Sequence, residues 1–194
     1  MPIYHTLGII PDKRHVVARR SNGSLYQEEL VGTQGFSGMS SLVYHLYPPT
    51  RVKQKDKAFD MRPEIAVENG LDAMSFQGFQ LAPEKDYVKS RKVLFINSSL
   101  QIGLAAPSAS TPYFYKNADA DEIIFVHEGS GRLLTMFGEL RFQYGDYIVI
   151  PRGTVYQVIF DGENNRWLFM ESADPVFTPK RYRNKFGQLL EHSP

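Results

Sequence analysis

The sequence predicts an all-β protein, a sandwich or jelly roll, on three observations. After Lys92 short apolar stretches recur at regular spacing, Gly-rich turns separate them, and none of them carries a convincing helical period. Short antiparallel strands bury a face only against a second sheet, so the pattern implies two packed layers. With 42% hydrophobic and 13% aromatic residues, the 194-residue chain can build a sizeable core.

Taken in order, SNGSL at 21–25 and GTQGFSG at 32–38 read as turns, and LYQEELVG between them reads equally as a strand or a short helix. Leu42, Tyr44 and Leu46 alternate with Val43, His45 and Tyr47, which predicts a strand buried on both faces and ended by Pro48 and Pro49. The basic run VKQKDK at 52–57 reads as a solvated loop or edge strand. Pro63 and Gly70 stand where a short helix over EIAVENG would start and stop, and a helix and a loop remain equal readings there. Beyond Lys92 come VLFI, the alternating Leu100, Ile102 and Leu104, then EIIFVHEG and GRLLTMF on either side of a Gly-Ser-Gly turn. MFGELRF reads as a hairpin around Gly138 and Glu139 with Leu140 and Phe142 on one face, and YIVIP, VYQVIF and RWLFMES follow. That makes seven or eight strands.

Composition removes several function classes. The 22 Lys and Arg against 21 Asp and Glu leave a formal charge of +1, too little for nucleic-acid binding by bulk charge. Without cysteine there are no disulfides, thiolate metal sites or thiol nucleophiles. No apolar run approaches the roughly 20 residues that span a bilayer, and the start of the chain has no signal-peptide pattern. We expect a cytoplasmic protein with no membrane and no nucleic-acid partner.

Glu122 and Gly129, separated by six residues in DEIIFVHEGSG, and Gly145, Pro151 and Gly153 in GDYIVIPRG match in order the paired motifs of the cupin family of small β-barrels. Gly145-Asp146 and Pro151-Arg152-Gly153 would turn the chain on either side of a short buried strand, Tyr147 to Ile150. The resemblance implies a cupin-like double-stranded β-helix, that is, a jelly-roll β-sandwich with an N-terminal β extension. Metal-holding cupins carry histidines at three further positions, where this chain has Tyr115, Asn117 and Tyr156. One carboxylate, one amide and two phenols make a poor ferrous site, so the expectation is no metal in this barrel. Tyr115, Asn117, Glu122 and Tyr156 are therefore candidates for a degenerate pocket, ordinary core filling being the plainer reading of the two tyrosines.

Of the five histidines, none shows metal-ligand spacing. Strand alternation sets Ile124 and Val126 on the face opposite Phe125 and His127. His127 is a candidate pocket base, although a strand-end histidine satisfied by a neighbour is the plainer reading. His45 reads as a hydrogen-bonded core histidine, and His5 and His15 fall in an N-terminal arm. No catalytic residue is assigned, since nucleophile elbow, phosphate loop and paired carboxylate spacing are all lacking.

FYKNADADEIIFVHEGSG and GDYIVIPRGTVYQ resemble, more closely than a generic cupin, the N-terminal half of homogentisate 1,2-dioxygenases. GFSGMSSLVYHLYPPTRV, SRKVLFINSSLQIGLAAP and RYRNKFGQLLEHSP extend the resemblance over nearly the whole chain. It implies ring cleavage of homogentisate by dioxygen to maleylacetoacetate, in tyrosine and phenylalanine catabolism. It also implies Fe(II) held by two His and one Glu in a C-terminal half of the same protein, and assembly into a homo-oligomer (hexamer or trimer). Residues 1–92 are then expected as a β-rich extension packing on the barrel, 93–178 as the metal-free barrel, and 179–194 as a linker toward the further half. The apolar Phe186, Leu189 and Leu190 near the end support that last expectation. The alternative is a free-standing metal-free cupin that binds a small ligand.

Overall fold

The structure, a computed structural model, describes residues 17–55, 60–66, 73–184 and 188–193. Nearly all regular structure in it is β. A two-stranded ribbon, β1 (Gln27–Gln34) and β2 (Ser37–His45), precedes a single 3-10 turn at Gly78–Gln80. Nine strands follow: β3 (Arg91–Ile96), β4 (Leu100–Ala105), β5 (Tyr115–Lys116), β6 (Asp121–Glu128), β7 (Gly131–Thr135), β8 (Gly138–Phe142), β9 (Tyr147–Ile150), β10 (Val155–Phe160) and β11 (Arg166–Ser172). The extra strand relative to the sequence reading is β5, whose two residues are too short to show an alternation.

These nine strands form two antiparallel sheets, β5-β10-β7-β8 and β3-β4-β11-β6-β9. From β4 onward the chain passes from sheet to sheet at almost every connection, so consecutive strands face one another across the core. This is the expected jelly roll. The Gly-Ser-Gly turn at 129–131 is one such crossing: β6 belongs to the larger sheet and β7 to the smaller. Gly129 takes a φ of +100° there, and a side chain on it would collide with the buried Asn165 amide. Gly145 and Gly153 hold φ of +89° and +83° at the two ends of β9, as turn residues must.

Inward residues from both sheets make one core. Tyr156, Val158, Leu133 and Phe142 come from the smaller sheet, and Ile124, Val126, Ile148, Ile150, Trp167 and Phe169 from the larger. Burying ten such side chains supplies the hydrophobic stabilisation of the domain at about 1.5–3 kcal/mol each for the aliphatic and Phe side chains.

Several local readings are corrected. The strand through Leu42–Tyr47 is not buried on both faces: β2 pairs with β1 alone in a two-stranded sheet, and Leu42, Leu46 and Tyr47 are exposed. Alternation reports an extended chain, not what lies above it. LYQEELVG resolves as strand, most of it in β1. His45 is bonded, 2.7 Å from Glu29, but it lies on the ribbon with its side chain 27% exposed and is no core residue. The β7–β8 turn lies at Met136-Phe137, two residues earlier than expected. Thr135 caps it, its hydroxyl donating to the Gly138 carbonyl and accepting from the Phe137 N–H. On β8, Phe142 enters the core while Leu140 stays on the rim. β9 is buried on one face only, Ile148 and Ile150 inward and Tyr147 and Val149 outward.

Residues 63–66 are not helical, while 67–70, the rest of that expected helix, lie outside the described residues, as do His5, His15 and Phe186. Residues 52–55 of the basic run are exposed and irregular, in keeping with a solvated loop. No helix among the described residues is long and apolar enough to cross a membrane.

Candidate functional site

Glu122 and Glu171 occupy inward positions of adjacent strands and face each other directly in the β6–β11 ladder. Both are buried. Two like charges directly opposite are unfavourable, and burial makes them more so. What reconciles them is Arg91, the first residue of β3. Its Cα is paired with Ala105 near the other end of the sheet, and its long side chain runs along the inner face. On the way the guanidinium lies over the Phe169 ring, 4.6 Å from its centroid, and within 5.8 Å of Tyr87. It ends between the carboxylates, Nη2 2.7 Å from Glu171 Oε2 and Nη1 3.5 Å from Glu122 Oε1.

The smaller sheet completes the cluster. Tyr156 on β10 donates its hydroxyl across the sandwich to Glu122 Oε2 at 2.8 Å. Tyr115, paired with Tyr156 in the β5–β10 ladder, packs edge-on against it at 5.5 Å. Asn117 donates from Nδ2 to Glu171 Oε1 at 2.7 Å, while its Oδ1 accepts the backbone N–H groups of Asp119 and Ala120. The four residues singled out from the motif positions therefore do converge. Sequence reasoning missed Arg91, Glu171 and Tyr87. For Glu171 a signal existed: it continues the inward series Trp167, Phe169, and a charge in that phase calls for a buried partner.

Burial is the largest influence on Glu122 and raises its pKa to about 7, against the pull of Arg91 and the Tyr156 hydrogen bond. The Tyr87 hydroxyl lies close enough to favour the Glu122 anion slightly, yet it makes no hydrogen bond of good geometry. Burial, then the Glu122 charge, pushes Tyr115 up to about 12 and Tyr156 well above the usual phenol range. Burial alone would weaken the proton affinity of Arg91, but the surrounding phenols and carboxylates reverse this and hold the guanidinium charged. The value for Glu122 places its proton exchange near neutral pH.

A cleft of about 340 Å³ opens beside the cluster, with Arg91, Tyr115, Asn117 and Glu171 facing it and Arg62 at its rim. His127 is elsewhere. It sits on the outer face of the larger sheet in a separate apolar slot of about 410 Å³, against the rings of Phe79 (4.8 Å) and Phe125 (6.0 Å).

The chain matches the family model described as "Homogentisate 1,2-dioxygenase N-terminal" over residues 11–180. It belongs to that family. It is also 37% identical over 198 residues to a protein of Saccharolobus solfataricus named "Putative dioxygenase", a match that takes 100% of this chain and 50% of that protein. The chain thus spans about half the length of this curated relative. Among solved structures it is similar to a cupin-2 domain protein of Shewanella frigidimarina (TM-score 0.41, 22% identity, 48% of this chain and 87% of that one). It is also similar to the Cnp3 cupin domain of Schizosaccharomyces pombe (TM-score 0.40, 16% identity, 43% and 64%).

The homogentisate dioxygenase resemblance implies a ferrous ion, and the residues of this barrel do not fit one. No group of three or more His, Cys, Asp or Glu side chains gathers among the described residues. The two carboxylates of the cluster, Glu122 and Glu171, already receive N–H and O–H groups from Arg91, Asn117 and Tyr156, so their lone pairs face hydrogens. A non-haem iron site needs two imidazoles and a carboxylate with open positions.

Proposed function

We propose that this chain is the structural and oligomer-building half of a homogentisate 1,2-dioxygenase-like enzyme that opens homogentisate with dioxygen to maleylacetoacetate. In this reading the Fe(II), with its two His and one Glu, belongs to the C-terminal half of the same protein. The assembly works in the cytoplasm, and these 194 residues alone turn over no substrate.

The observation that carries the reading is the outer face of the five-stranded sheet. An antiparallel sheet that meets water on one side alternates apolar and polar residues. Here the outer face is apolar as well. One cross-strand row runs Tyr147, Phe125, Leu168, Leu104 and ends at Lys92; the next runs Val149, Ile123, Met170, Ile102, Phe95. Phe76 and Phe79 cover part of it, and Tyr147, Val149, Phe95 and Leu168 remain exposed. A patch ~20 Å across, five strands and four strand spacings wide, is the kind of surface that a partner covers. The occupant we assign is the part of the relative's length that this chain does not span.

Iron content and ring cleavage test the reading. The purified chain, given Fe(II), homogentisate and dioxygen, is expected to hold no stoichiometric iron and to form no maleylacetoacetate. One iron per chain together with turnover would overturn the division of labour. A second reading, a free-standing metal-free cupin, draws on the cleft beside Arg91 and Glu171. Saturable binding of a small polar molecule there by a monomer would favour it.

A further inference from the structure

We infer that the Arg91 guanidinium is the resident cation of this barrel, standing in the place that a free cation takes when the Arg91 side chain is removed. The inference concerns this chain's own side chains and holds for either reading of its function.

Three observations carry it. The ladder register sets Glu122 and Glu171 directly opposite each other, so the two carboxylates are joined by the fold itself and not by a chance approach of flexible side chains. Both are buried, and two buried carboxylates need a positive partner or protons. The positive charge arrives from outside the pair of strands: Arg91 reaches it from β3, with one nitrogen on each carboxylate. The guanidinium is thus an inserted group, separable from the acidic pair that it neutralises.

The surroundings are also those of an ion site with room to adjust. Arg91 Nε has no hydrogen-bond partner and the fully buried Tyr87 hydroxyl makes no hydrogen bond of good geometry, so the polar groups around the carboxylates are not saturated. The cleft lined by Arg91, Tyr115, Asn117 and Glu171 gives solvent a route to the guanidinium and to Glu171, with Glu122 behind them. With the guanidinium gone, the oxygens that remain are carboxylate and phenol, a hard donor set suited to Mn²⁺ or to a free guanidinium ion and poorly suited to soft metals.

The experiment compares the wild-type chain with Arg91→Ala by thermal unfolding at neutral pH. It is run with no addition, with MnCl₂, with guanidinium chloride far below its denaturing range, and with urea at the same concentration as control. Leaving two buried carboxylates uncompensated should lower the Tm of Arg91→Ala by about 10 °C. Guanidinium, and separately Mn²⁺, should return at least half of that loss, urea none. Mn²⁺ counted by electron paramagnetic resonance should reach one ion per variant chain and none per wild-type chain. An unchanged Tm in Arg91→Ala, or a loss that no cation restores and no Mn²⁺ uptake, would overturn the inference. If Arg91→Ala does not fold, the triple variant Arg91→Ala/Glu122→Gln/Glu171→Gln decides. Recovery of the fold supports charge compensation as the role of Arg91. Continued failure assigns the role to packing of the Arg91 stem on Phe169 and overturns it.

Discussion

The two ends of the sandwich interior differ sharply, and a single strand connects them. On β11 the inward side chains are Trp167, Phe169 and Glu171, so within four residues, ~13 Å of strand, the core passes from dry to charged. At the dry end Trp167 lies among Phe142 (5.3 Å), Phe160 (5.0 Å) and Tyr87 (4.9 Å). At the other end Glu171 and Glu122 share one guanidinium. The dry end gains from every contact it makes. The charged end is held by the fold at a cost, because desolvating carboxylates is seldom repaid in full by their partners. This contrast teaches that the barrel holds a polar centre that stability alone does not require.

The largest expected effect lies at the dry end. Trp167→Ala should destabilise the chain by about 3–5 kcal/mol in urea unfolding, through lost apolar contacts and the cavity left behind. Trp167→Phe should cost much less. It keeps most of the packing and removes an indole N–H that is buried without a partner. Equal losses for the two variants would mean that the indole nitrogen, and not the packing, carries this end.

The charged end should reveal itself through pH. Glu122 has an ordinary value of 4.5 and, in the folded chain, a pKa of about 7. Between these values the folded chain keeps a proton that the unfolded chain has released. This contribution to stability is therefore complete below pH 4.5 and is lost as pH rises through 7, by about 3 kcal/mol in all. Glu122→Gln, neutral throughout, should match the wild type near pH 4.5 and gain on it progressively up to pH 8. Unfolding series at several pH values measure the gap. A gap that stays constant, or that closes with rising pH, would mean that Arg91 compensates Glu122 fully.

Much of this architecture was legible because turns leave marks in sequence. Gly129, Gly145 and Gly153 hold left-handed backbone at connections between sheets, and their spacing from Glu122 and Pro151 follows from the strand lengths between them. Tyr115, Asn117 and Tyr156 came with the motif. Arg91 was not legible. It lies outside the motif, on a strand whose register shifts between Val93 and Phe95, and its role rests on the reach of a long side chain along the sheet. The β1–β2 ribbon misled for a different reason, since apolar alternation in Leu42–Tyr47 implies two buried faces only if two layers are present. The outer face of the larger sheet went unread as well. Its apolar residues were visible in each strand, but only the registers line them up into rows.

Those rows lead to the smallest expected effect on stability, one residue away from the largest. Leu168 follows Trp167 in the chain and points the opposite way, 39% exposed against 1%. In the isolated chain Leu168→Lys should change stability by no more than about 0.5 kcal/mol, because water already reaches the site. Its consequence belongs to association: a lysine between Phe125 and Leu104 would place a charge in the middle of an apolar row, where a covering partner would have to desolvate it. Far-ultraviolet circular dichroism and urea unfolding check the first statement, and analytical ultracentrifugation over a range of concentrations checks the second. Self-association of the wild-type chain through its uncovered face should weaken in the variant at unchanged fold. If Leu168→Lys instead unfolds the chain as Trp167→Ala does, this face already belongs to the interior of the domain, and the docking role assigned to it fails.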